Sequence, residues 1–111
     1  MDIKKIIQDN LKVGQTLKNW TPLNGYKWRN DIIITKIDSK SIDFEAPNPK
    51  KPEPTKVSVP YSAIIQIYEI WEDIKSQKIK HSEYAHSNEK PNYFTRYCLD
   101  VLKELDNLNL I

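Results

Sequence analysis

The chain holds a single cysteine, Cys98, among 111 residues, so no disulfide can close within it. With only His81 and His86 beside that thiol, a structural zinc site would need carboxylates or a second chain. Glycine is as scarce. Gly14 and Gly25 are the only two, neither belongs to a GxGxxG or GxxxxGKS/T pattern, and a Gly-rich phosphate loop is excluded. Long apolar runs are missing as well: the longest purely aliphatic stretch is Ile32 to Ile34, far below the roughly 18 to 20 residues that a bilayer span requires. The start, Met1-Asp2-Ile3-Lys4-Lys5, lacks the apolar centre of a secretory signal, so no membrane role and a cytoplasmic location are expected. Charge of one sign is absent too. Seventeen basic and fifteen acidic residues leave a formal +2. The pI of 8.6 falls short of the value above about 9 that marks a basic nucleic-acid footprint. Arginine is rare, with only Arg29 and Arg96. The Lys, Ile and Asn bias is what an AT-rich coding sequence produces, which points to a bacterial or phage source rather than to a function.

What is present suffices for one core. The apolar fraction is 39%, and a chain of this length should bury roughly 65% of its unfolded surface. A single domain over 1–111 is expected, of class α+β. Its parts are an N-terminal helix (1–13), a small twisted antiparallel sheet (15–59) of about four strands that can curl into an SH3-like half-barrel, and C-terminal helices (60–111) packed on it.

In the first part, Ile3, Ile6, Ile7 and Leu11 form a helical stripe, with Asp2 placed to cap the start and Gly14 the end. A weak strand is expected around Gln15 to Thr21, and Asn24-Gly25 signals a turn. Trp28 to Ile37 is rich in β-branched residues and reads as the central strand. The polar tetrad Asp38 to Ser41 then leads into strict alternation, with Ile42, Phe44 and Ala46 on one face and Ser41, Asp43 and Glu45 on the other.

Residues 47–54 carry four prolines in eight positions. Such a segment is either a docking ligand for an aromatic groove or, more plainly, a stiff loop between strands, because alternation resumes from Thr55 to Val59. From Pro60 the pattern turns helical through Ile64, Ile65, Tyr68, Trp71 and Ile74, over about 61–77. A short helix at about 82–88 and a last one at about 92–106 follow. The last carries an apolar stripe of Phe94, Tyr97, Cys98, Val101, Leu102 and Leu105. Leu108, Leu110 and Ile111 are too apolar to hang free and should dock on the domain or on a second subunit.

This order of helices resembles a helix-turn-helix layout, in which the final helix enters a groove of DNA by its first turn. Asn92, Tyr93, Thr95 and Arg96 are then candidates for base or phosphate contact, with Lys75, Lys78, Lys80 and Lys90 on phosphates. From Lys75 to Lys90, four lysines face Glu83 and Glu89, a local +2. The plainer reading is three helices that only pack on the sheet. A second cluster interleaves Trp20, Tyr26, Lys27, Trp28 and Arg29, the ingredients of a single-strand stacking platform, or simply the large residues that close the core.

Catalysis has little to work with, and the chain is expected not to be an enzyme. His81 and His86 are about 140° apart on a helix, which disfavours a shared metal. Cys98 lies on an apolar stripe, where a thiol is a small hydrophobe rather than a nucleophile. Glu72 and Asp73 are adjacent and read as a solvated face. No cofactor is expected. Two functions follow: a small nucleic-acid-binding accessory domain with DNA or RNA as partner, or a protein-interaction or homo-oligomerisation module using Leu108, Leu110 and Ile111.

Overall fold

Asp2 sets the first helix. In the structure, a computed structural model that describes residues 1–21, 30–48, 50–79 and 94–111, its carboxylate accepts the backbone N–H of Lys5 at 3.1 Å. That satisfies one of the donors a helix start leaves open. Helix α1 runs Ile3–Asn10 and turns Ile3 and Ile7 into the core. Leu11 follows buried, and the chain then reverses at Gly14, whose φ of +89° lies in the left-handed region that side chains disfavour. Its N–H reaches Ile34 O at 2.7 Å and so joins the sheet.

The sheet is an antiparallel meander, β1 (Thr16–Leu17), β2 (Ile32–Ile37), β3 (Ser41–Ala46) and β4 (Thr55–Pro60), in that spatial order. β3 has the bounds that its alternation predicts, with Ile42, Phe44 and Ala46 buried opposite Val59, Val57 and Thr55. The other face meets solvent. There Lys56 pairs with Glu45 at 3.9 Å and Ser58 Oγ donates to Ser41 Oγ at 3.0 Å. A register shift between Ile34 and Lys36 marks a bulge in β2. The turn from β2 to β3 is held by Asp38, whose carboxylate accepts the N–H groups of Lys40 (2.8 Å) and Ser41 (2.9 Å). Its carbonyl accepts Tyr61 Oη at 2.8 Å and Gln8 Nε2 at 3.2 Å, which ties the turn to both flanking helices. Those backbone bonds hold the Asp38 carboxyl below its usual range.

Three expectations change here. The strand expected around Gln15 to Thr21 is only two residues long, with Thr16 opposite Ile33 and Leu17 opposite Ile32. The described central strand begins at Ile32, and Trp28 and Arg29 lie outside the described residues. Pro60 is the last residue of β4 and the cap before the helix, with extended angles, rather than a member of its first turn. The proline segment 47–54 joins β3 to β4, where Asn48 accepts the N–H of Lys50 at 3.0 Å.

The helix expected over about 61–77 is broken. α2 spans Tyr61–Glu69 and α3 spans Trp71–Lys75, with Ile70 between them at φ −114°, ψ 16°. The buried stripe is Ile64, Ile67, Trp71 and Ile74, whereas Ile65 is 38% exposed. The Ile64-Ile65 pair hid the true spacing of 3, 4 and 3. The last described helix, α4, runs Thr95–Asn107, and the short helix expected at about 82–88 lies outside the described residues. α4 lies across the inner face of the sheet, with Tyr97 stacked on Phe44 at 5.7 Å. Its end is closed by Asn109 at φ 60°, and Leu110 N–H returns to Leu105 O at 2.9 Å. Leu110 and Ile111 pack on the core, while Leu108 stays 48% exposed. No helix among the described residues is long and apolar enough to cross a membrane.

Candidate functional site

α4 is buried on more than one face. Tyr97, Cys98, Leu99, Val101 and Leu102 are all inside, and so is Asp100, which is 1% exposed. Asp100 Oδ1 accepts the backbone N–H of Trp20 at 2.9 Å, which anchors the chain after β1 to the helix. Beside it, Asp31 Oδ1 accepts the N–H of Asn19 at 3.0 Å, and Arg96 Nη2 donates to the Asn30 carbonyl at 2.6 Å. Burial pushes the Asp100 carboxyl up to about 7. The Trp20 N–H bond, the Arg96 guanidinium and the Asn19 side chain act against that rise, and the Asp31 charge adds to it. Asp100 Oδ2, Arg96 Nε and Thr95 Oγ1 are buried with no hydrogen-bond partner among the described residues.

This arrangement reassigns several residues. Thr95, expected at a nucleic-acid surface, is buried at 4% exposure. Arg96 is half-buried, bonded to Asn30 and stacked 5.3 Å from the Tyr97 ring, an internal clamp rather than a free guanidinium. Trp20 packs at 5.5 Å against Trp71, with the Lys103 ammonium 5.2 Å from its own ring. Lys75, expected on phosphate, bonds Asp106 at 3.0 Å and Glu72 at 3.2 Å over the Trp71 ring. The Asp106 bond is the main cause that raises its affinity for a proton. Lys78 is exposed. Lys80, Lys90, Asn92 and Tyr93 lie outside the described residues, as do Tyr26, Lys27, Trp28 and Arg29. So do His81 and His86. Among the described residues no three His, Cys, Asp or Glu side chains gather as a metal site would require. Cys98 is buried, and burial pushes its thiol far up.

A second feature was not anticipated. Where the chain bends at Ile70, a surface cleft of about 390 Å³ opens between the two helices and the C-terminal residue. The half-buried Tyr68, Ile70 and Ile111 and the buried Trp71 line it, together with the charged Glu69, Glu72 and Asp73. Glu72 and Asp73, read as mere solvation, therefore border a concavity. The neighbouring Tyr68 hydroxyl meets Met1 Sδ at 3.4 Å. No proline or glycine marks the bend, so the sequence carries no sign of it.

Asp100 was legible in principle. Apolar side chains at 97, 98, 99, 101 and 102 exceed one helical stripe, so a residue among them must be enclosed. Comparison with protein-family models, with curated proteins and with solved structures gives no match for this chain.

Proposed function

We propose that the chain is a protein-interaction domain that docks a partner segment in the cleft at the α2 to α3 bend. One observation carries the reading: a concavity lined by Tyr68, Ile70, Trp71 and Ile111 lies on the surface, and its Trp71 is fixed by Trp20, Asp106 and Lys75. Apolar floors with a few placed charges are what small binding sites share. A rigid wall also spares a partner the cost of ordering the site.

The test is a titration of the isotopically labelled chain with pools of short peptides, followed by backbone amide shifts. Shifts concentrated at residues 68–73 and 111 support the reading. Shifts confined to the outer sheet face would refute it.

Nucleic-acid binding is the second reading, and one observation favours it. The Trp20 to Asp100 and Arg96 to Asn30 bonds bring together the flanks of 22–29 and the residues that follow 80–93. Those two segments carry Lys27, Arg29, Lys80 and Lys90. Fluorescence polarisation with duplex and single-stranded oligonucleotides at about 50 and 200 mM salt tests it, because lysine contacts to phosphate release counterions and affinity must fall steeply.

A further inference from the structure

We propose that the segment received by this cleft presents a lysine or arginine, a proposal that rests on the interaction reading above and names its occupant. Every charged residue lining the cleft is a carboxylate: Glu69, Glu72 and Asp73. Glu69 and Asp73 have no ion-pair partner among the described residues, and Glu72 shares one cation, Lys75, with Asp106. The rest of the lining is Tyr68, Ile70, Trp71 and Ile111, so the occupant needs an aliphatic stem beneath its charge. Lysine and arginine have that build, with stems that lie on apolar surface while the head reaches polar groups. The Tyr68 ring adds a face to which a cation is attracted.

The same wall already holds an ammonium in this manner. The Lys75 head sits between the Glu72 and Asp106 carboxylates, with the Trp71 ring centroid 5.7 Å away. The cleft lining holds groups of the same kinds for a further cation: an aromatic ring in Tyr68, and carboxylates in Glu69 and Asp73. A polyanion such as a nucleic acid would meet three like charges there.

The experiment uses the whole chain and two hexapeptides, one alternating leucine with lysine and the other leucine with glutamate. Amide shifts locate binding, and fluorescence polarisation measures affinity. The lysine peptide should shift residues 68–73 and 111, and should bind more weakly as salt rises. Combining Glu69→Gln, Glu72→Gln and Asp73→Asn should weaken it at least tenfold. Glu69→Lys alone, which leaves the Lys75 pairs intact, should weaken it severalfold with the amide spectrum otherwise unchanged. If the glutamate peptide shifts the same amides equally well, the cleft is a docking site and the cationic occupant is wrong. If neither peptide shifts them at millimolar concentration, both the occupant and the interaction reading fall. Concentration-dependent shifts at 68–73 without any peptide would identify a second copy of the chain as the occupant and overturn the proposal.

Discussion

Replacing Asp100 by asparagine isolates the cost of a buried charge in this fold. The native carboxyl keeps its proton up to about pH 7, whereas the unfolded chain releases it near the ordinary aspartate value of 3.8. Between those values the unfolded state binds fewer protons than the native state, so stability falls as pH rises through the window and levels off above it. At about 1.4 kcal/mol per pKa unit the full window is worth about 4 kcal/mol, of which about 3 kcal/mol falls between pH 5 and pH 8. Asparagine keeps an oxygen for the Trp20 N–H and carries no charge, so Asp100→Asn should abolish this slope. Urea unfolding of both proteins at pH 5, 6, 7 and 8 reads it directly, since titrating groups shared by the two cancel in the difference. The variant should gain on the parent by about 3 kcal/mol from pH 5 to pH 8. A difference independent of pH, or one of opposite sign, refutes the account of a carboxyl held neutral by burial.

Other perturbations follow from the same structure. Arg96→Met removes a charge that favours ionised Asp100, so the decline of stability with pH should steepen in the same unfolding series. Gly14→Ala meets no atom within 4 Å but must adopt a φ of +89°; a loss of about 1–2 kcal/mol in urea midpoint analysis is expected from backbone strain alone. Asp38→Ala removes both turn bonds from Lys40 and Ser41. Because the Asp38 pKa is lowered in the fold, its contribution is present at neutral pH and disappears in acid. The variant should therefore be less stable than the parent at pH 7 and approach it in acid, as thermal melts would show.

What the sequence revealed depended on whether a periodic pattern met a single environment. β3 was legible residue by residue because one side of the sheet faces water and the other the core, so polarity alternates with the pleat. The start of α1 was legible because its cap is local and its stripe narrow, whereas its end was not, since the helix stops at a Leu11 cap rather than at Gly14. The bend at Ile70 was not, since a continuous apolar stripe runs through both helices and tertiary packing alone sets the break. Thr95 misled for a related reason: a polar residue was assigned to the surface, but α4 is enclosed on several sides. Lys75 has a local partner in Glu72, but its Asp106 partner and the Asn30 carbonyl that holds Arg96 lie 31 and 66 residues away along the chain. No spacing rule reaches that far, so residues chosen as free cations are internal clamps.

The Trp20 to Asp100 bond joins residues 80 apart. The strand pairings β2 to β3 and β3 to β4, by contrast, link neighbours in sequence. Closing a longer loop costs more chain entropy, and contacts that require it form after local ones. The hairpins can therefore assemble while α4 is still undocked, and the Asp100 anchor belongs to the native side of the rate-limiting barrier. An interaction absent from the transition state changes the unfolding rate and leaves the refolding rate nearly untouched. Raising the pH through the titration of Asp100 should then shorten the lifetime of the folded molecule without slowing its formation.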